Sequence, residues 1–144
     1  MRLTTKSRYA VDALTELQLL QINGPVALSE ISMNQDIELN YLEQLFRKLR
    51  IAGIVKSLRG RNGGYIYAKD PSHISIKDVM DAVEEIIDST KCNGKASCKK
   101  GNKCYTHDLW DDLNVVIYKY LSGVSLKEIF ENSQKSDIPH VSIN

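Results

Sequence analysis

Ser29-Glu30-Ile31-Ser32-Met33-Asn34-Gln35-Asp36-Ile37-Glu38-Leu39-Asn40-Tyr41-Leu42-Glu43-Gln44-Leu45-Phe46-Arg47-Lys48-Leu49-Arg50 is the stretch that decides the fold. Ser29 to Met33 reads as a short helix capped at its first residue, and Gln35-Asp36-Ile37 as a polar turn. Leu39, Leu42, Leu45, Phe46 and Leu49 then recur at helical spacing until Gly53, leaving a polar outer face. Two short helices joined by a tight turn, the second amphipathic, make a helix-turn-helix.

The flanks agree with that reading. Upstream, Tyr9, Ala10, Ala13, Leu14, Leu17 and Leu20 predict a helix starting near Ser7 or Arg8 and stopped by Asn23-Gly24-Pro25. Downstream, Ile54-Val55-Lys56-Ser57-Leu58 and Tyr65-Ile66-Tyr67-Ala68 are β-rich runs on either side of Arg59-Gly60-Arg61-Asn62-Gly63-Gly64, a hairpin tip. A hairpin directly after the second helix is a wing. Ser75 with Asp78 caps a further helix whose apolar stripe is Val79, Ala82, Val83, Ile86 and Ile87. From Thr106 a long helix carries Leu109, Trp110, Leu113, Val116, Ile117, Tyr120 and Leu121, and Ser125 with Glu128 opens a last short one. The expected fold is mostly α with a small β wing: a winged helix-turn-helix followed by a long C-terminal dimerisation helix. The divisions are 1–88 for the winged helix, 89–107 for a Cys/His loop, 108–133 for the long and short helices, and 134–144 for a frayed polar tail.

At 144 residues and 42% hydrophobic content, the chain holds one modest core and excludes a large multidomain enzyme. Its formal charge is only +1, but the distribution is uneven. Residues 1–69 hold ten basic and six acidic side chains, and residues 70–144 hold nine and twelve. The basic half is the half to examine for phosphate contacts. No apolar run approaches the ~20 residues of a membrane span, and the N-terminus lacks the apolar core of a signal peptide, so a cytoplasmic protein without membrane contact is expected.

The three cysteines fall together, at 92, 98 and 104, with His107 three residues further on. An odd number so closely grouped does not make a disulfide framework, and in a reducing compartment it reads as a ligand set. Structural zinc favours paired Cys-x2-4-Cys knuckles, whereas two five-residue gaps are wider and suit an iron-sulfur cluster. Lys91, Lys95, Lys99, Lys100 and Lys103 surround the thiols and are expected to lower their pKa values. Zinc and unliganded thiols stay open beside the cluster. A Cys-His nucleophile is disfavoured, because the loop offers neither an oxyanion hole nor a substrate pocket. His73 and His140 have no partners at ligand spacing and read as surface residues. Trp110, Tyr118 and Tyr120 read as core or interface.

On the helix-turn-helix, the N-terminal residues of the second helix would meet base edges: Glu38, Asn40, Tyr41, Glu43 and Gln44. Gln44 can pair bidentately with adenine, and Asn40 can read adenine or hold a phosphate. Glu43 would be repelled by phosphates unless a cytosine amino group meets it, so it should penalise wrong sites. Arg47, Lys48 and Arg50 read equally as solvated charges or phosphate contacts. Lys6, Ser7 and Arg8 are expected at backbone phosphates. In the wing, Gly60, Gly63 and Gly64 would permit close approach while Arg59 and Arg61 reach the minor groove or its phosphates. The apolar stripe of the long helix exceeds what a peripheral helix needs, so a second subunit should cover part of it.

Met1-Arg2-Leu3-Thr4-Thr5-Lys6-Ser7-Arg8-Tyr9-Ala10-Val11, the segment Asn40 to Arg50, the wing Arg59 to Tyr65, and Cys92-x5-Cys98-x5-Cys104-x2-His107 followed by Asp108-Leu109-Trp110-Asp111-Asp112-Leu113 together resemble the IscR-type winged-helix iron-sulfur transcription regulators. The resemblance runs over about residues 1–133. It implies a homodimer, joined through the helix carrying Leu109, Leu113, Val116, Ile117 and Tyr120. It further implies binding to a double-stranded DNA operator, with one 2Fe-2S cluster per subunit held by Cys92, Cys98, Cys104 and His107. The implied targets are genes of iron-sulfur cluster biogenesis. Related repressors that respond to nitric oxide or iron through a 4Fe-4S cluster share the three-Cys layout. A rival of another class is a zinc-stabilised winged helix that binds protein.

Overall fold

The structure, a computed structural model, describes residues 3–90 and 92–135. Among these the elements run α1 (Thr5–Leu20), α2 (Leu28–Gln35), α3 (Leu39–Ile51), β1 (Val55–Leu58), β2 (Gly64–Tyr67), α4 (Ile76–Ala82), α5 (His107–Ser122) and α6 (Leu126–Gln134). Lys91 and, within the expected tail, residues 136 onward lie outside the described residues. No described helix is long and apolar enough to cross a membrane.

α1 starts earlier than the apolar spacing predicts, because Thr4 takes the cap and its hydroxyl accepts the N–H of Lys6. Its apolar face, Ala10, Ala13, Leu14 and Leu17, is fully buried against Ile31 of α2, Leu42, Phe46 and Leu49 of α3, and Leu126 of α6. Each large side chain so buried contributes ~1.5–3 kcal/mol. α2 begins at Leu28 on Ala27 with no side-chain cap, so Ser29 is not the cap expected of it. The turn to α3 closes at Asp36, left-handed at φ 53°, where the Ser32 hydroxyl donates to the Ile37 carbonyl at 2.5 Å. These contacts set α3 against α1 and leave its polar face outward.

The hairpin pairs Val55 with Tyr67 through Leu58 with Gly64. Val26 adds a third rung at its edge, its N–H donating to the Tyr65 carbonyl at 3.0 Å and its carbonyl accepting the Tyr65 N–H at 2.8 Å. This corrects the expectation for two wing glycines. A Cβ on Gly64 would lie 2.4 Å from the Val26 carbonyl oxygen, and one on Gly63 2.2 Å from that of Leu58. Both approaches are to the chain's own backbone, and Gly60 alone of the three faces open space. Gly64→Ala should therefore cost roughly 2–4 kcal/mol in denaturant unfolding, since both neighbours are main chain and φ is +155°. An unfolding midpoint equal to that of the wild type would contradict this packing.

α4 carries the expected capping box between Ser75 and Asp78 but ends at Ala82. The predicted stripe through Ile87 is cut because Glu84 turns left-handed at φ 61°. Ile87 is still buried, whereas Ile86 is 81% exposed. The approaches to α4 and α6 pair with each other: the Ile76 N–H donates to Val124 and the Leu126 N–H to Ile74, each at 2.9 Å. α5 lies apart from the apolar core, and its sole buried residue is His107. Leu109, Val115, Val116 and Tyr120 are exposed, with Leu113 and Ile117 half-buried.

Candidate metal centre and nucleic-acid interface

The loop between α4 and α5 folds back so that its first cysteine meets the first residue of α5. Cys92 Sγ lies 3.5 Å and Cys98 Sγ 3.7 Å from His107 Nδ1. The three donor atoms all fall within 4.8 Å of one another. Cys104 stands beside them: its N–H donates to Cys98 Sγ at 3.1 Å, and its thiol lies 3.8 Å from the Thr106 hydroxyl. Cys98, Cys104 and His107 line a cavity of about 520 Å³ together with Thr90, Trp110 and Leu113. The Trp110 indole N–H donates to Thr106 at 3.1 Å.

Burial opposes ionisation of the Cys92 thiol, yet its polar surroundings, first the Ser97 backbone and then the Thr90 side chain and the Ala96 backbone, outweigh it and bring its pKa down to about 6. The neighbouring Cys104 thiol pushes Cys98 up, while Cys98 itself holds Cys104 down. The lysines of the loop were expected to do this work, but two of those described, Lys99 and Lys103, have other partners. Lys103 pairs with Asp108 at 2.7 Å, and the Lys99 ammonium sits 5.4 Å from the centre of the Tyr105 ring.

A second set of residues ties the loop to the body, and the sequence pattern did not single it out. The Asp88 carboxylate accepts from Asn114 of α5 at 2.9 Å and from both the N–H and hydroxyl of Thr90, at 2.8 and 2.7 Å. Asn114 in turn accepts the Ser89 N–H, and Thr90 accepts the Gly94 N–H. Tyr118 donates to the Ile87 carbonyl at 2.8 Å. Glu85, buried, accepts the Thr4 N–H at 2.7 Å and the Thr4 hydroxyl, fastening the start of α1 to the same linker. Isolated Asp, Asn and Glu residues read as surface polarity in a sequence, and the folding of the linker alone brings them together.

On the outward face of α3, Asn40, Glu43, Gln44, Arg47 and Arg50 are exposed, with Glu38 exposed at the helix start. Arg59, Gly60 and Arg61 are exposed at the wing tip, Arg8 is exposed, and Lys6 is half-buried. Two expectations need correction. Ser7 is only 4% exposed and its hydroxyl has no partner, because the earlier start of α1 turns it inward, so it is not at a phosphate. Tyr41 packs edge-on against Tyr9, ring centres 5.8 Å apart, and its hydroxyl bonds Thr5 at 3.0 Å. It braces α3 on α1. Lys48 is not a free helix charge either, since it pairs with Glu84 at 2.9 Å.

A helix-turn-helix held against its hairpin, with a thiol-rich loop leading into an outward apolar helix, defines the winged-helix class of protein. The chain belongs to the Rrf2 family, iron-dependent transcriptional regulators, whose model matches residues 3–132. It is 46% identical over 138 residues to the HTH-type transcriptional regulator IscR of Klebsiella pneumoniae, covering 96% of this chain and 85% of that one. To IscR of Photorhabdus laumondii it is 47% identical over 138 residues, covering 96% and 84%. Among solved structures, IscR of T. potens matches with a TM-score of 0.78 at 29% identity, covering 97% of this chain and 93% of that one. CymR, the global cysteine regulator of B. subtilis, matches with a TM-score of 0.78 at 27% identity, covering 92% and 98%. The protein is thus a DNA-binding transcription regulator of the IscR type, and its Cys92, Cys98 and His107 grouping fits a metal or iron-sulfur centre.

Proposed function

We propose that this regulator senses iron-sulfur status in the cytoplasm through one 2Fe-2S cluster per chain, held by Cys92, Cys98, Cys104 and His107, and controls genes of cluster biogenesis. The observation that carries the reading is the convergence of Cys92, Cys98 and His107, whose donor atoms lie within 4.8 Å of one another beside the Cys104 thiol. Three thiolates and one imidazole are a soft set suited to iron and sulfide. An imidazole in place of a fourth thiolate makes the centre less negative and more easily released. Asp88, Thr90 and Asn114 act on the loop, holding its start against α5 so that Cys92 stays near His107.

The protein works as a homodimer. Leu109, Val116 and Tyr120 form an exposed apolar face on α5, flanked by the half-buried Leu113 and Ile117, and a second copy covers it. On DNA, Glu38, Asn40, Glu43 and Gln44 stand at base edges, Arg59, Gly60 and Arg61 enter from the wing, and Lys6 and Arg8 hold phosphates. Ligation at His107, the first residue of α5, orders the loop and alters the relative placement of the two reading helices.

Iron and acid-labile sulfide, assayed on protein purified without oxygen, test the cofactor. About two of each per chain are expected, with the visible absorption of a thiolate-ligated cluster. About four of each would replace the 2Fe-2S assignment with a 4Fe-4S one, and a colourless chain that holds only zinc would overturn it.

A further inference from the structure

Glu84 closes α4 and pairs with a lysine of α3. It lies in the left-handed region, at φ 61°, where its own N–H donates to the Asp81 carbonyl at 3.1 Å and the Glu85 N–H to that of Met80 at 2.8 Å, the pattern that ends many helices. That turn sends two consecutive carboxylates in opposite directions. Glu85 goes inward to Thr4, and Glu84 goes outward to Lys48 Nζ at 2.9 Å. The outward pair is open to water, the Glu84 side chain being 72% exposed and that of Lys48 39%. An exposed ion pair adds little to folding stability, and the helix end closes on its own backbone bonds, so folding alone does not call for a carboxylate that faces Lys48.

The charges around Glu84 suggest its role. Its hydrogen bond to Lys48, then the charge of Lys48 and more weakly that of Lys6, hold its carboxyl below the usual carboxylate range. Lys48 belongs to α3 and Lys6 to the first turn of α1, two elements of the face read as turned to DNA. A carboxylate held by one lysine and within the field of a second occupies the kind of position that a backbone phosphate takes when such lysines meet a duplex. We infer that Glu84 is an internal stand-in for a DNA phosphate, which holds Lys48 back from the duplex and lowers affinity for DNA of any sequence.

The consequence is a lower background of non-specific binding, and so a higher ratio of specific to non-specific affinity. Glu84 also heads the linker that runs through Glu85, fastened to the start of α1, and Asp88 to Cys92, both fastened to α5. The brake therefore sits at the DNA end of a braced segment whose other end carries a thiol of the metal centre. The inference rests on the reading of α3 as the DNA-facing helix.

Four full-length proteins in the cluster-free state test it: wild type, Glu84→Gln, Lys48→Gln and the double variant. Fluorescence anisotropy would follow their binding to a short labelled duplex of unrelated sequence over a range of salt. Glu84→Gln should tighten binding roughly three- to tenfold at 0.1 M salt and steepen the log-log salt slope by about 0.9, the increment for one more phosphate contact. In the Lys48→Gln background the same change should have no effect. An unchanged slope and affinity in Glu84→Gln would overturn the inference, as would equal tightening with and without Lys48. Wild-type binding that does not depend on salt would instead overturn the DNA-facing reading, and the inference with it.

Discussion

Cys92→Ala is expected to yield a folded chain that holds neither iron nor sulfide. Cys92 is the buried cysteine of the donor set, and its thiol lies 3.5 Å from His107 Nδ1, nearer than that of Cys98 at 3.7 Å. The polar groups around it, first the Ser97 backbone, bring its pKa down to about 6, in the direction that favours the thiolate a ligand must be. Loss of one ligand in four leaves two neighbouring thiols and an imidazole, which cannot close a stable cluster. Cys92 lies outside the apolar core built on α1, α3 and α6, so the winged helix should survive. Far-ultraviolet circular dichroism like that of the wild type, with visible absorption and sulfide lost, is the expected pair of results. Cys92→Ser, which keeps the volume, should behave the same way. A variant that retains a full complement of iron and sulfide would remove Cys92 from the ligand set.

Val116→Asp should convert the dimer to a monomer and weaken operator binding by roughly 10²–10⁴-fold, the range in which a second linked binding site adds to the first. Val116 is 61% exposed on the free face of α5, so an aspartate there meets water in a single chain and costs the fold little. In a dimer joined through this face the carboxylates of the two copies would be buried among Leu113, Ile117 and Tyr120 without a cation to meet them, which association cannot offset. Sedimentation should give half the wild-type mass, with the unfolding midpoint of the monomeric core nearly retained. A variant that stays dimeric would move the interface away from this stripe.

Much of this was legible in the sequence where one spacing rule dominates. The period of Leu39, Leu42, Leu45, Phe46 and Leu49 places α3 to within two residues of its end, and the Ser75–Asp78 box places the start of α4. What failed depended on contacts between distant segments. α1 starts at Thr5 because Glu85, 81 positions away from Thr4, anchors its cap, and that same shift buries Ser7. Gly63 and Gly64 looked like concessions to a ligand, but the close approaches come from Leu58 and Val26. Apolar periodicity continued past Ala82 because Ile87 is indeed buried, yet a left-handed Glu84 breaks the helix before it.

The candidate centre shows the same division. The spacing of Cys92, Cys98, Cys104 and His107 was a local signal, and three of the four donors converge. The groups that tune and hold them were not local. Lysines next to the thiols in sequence turn to Asp108 and Tyr105, whereas Thr90, Asp88 and the distant Asn114 supply the hydrogen bonds.

The most direct test of the account is operator affinity, measured on one preparation of the dimer with its cluster intact and again after the cluster has been removed. Duplexes selected from a random pool by each form would supply the operators, and the salt concentration would be held constant. The account predicts that at least one class of selected site binds the two forms with different affinity, since a cluster can regulate only through such a difference. Equal affinity of both forms at every selected site would contradict it.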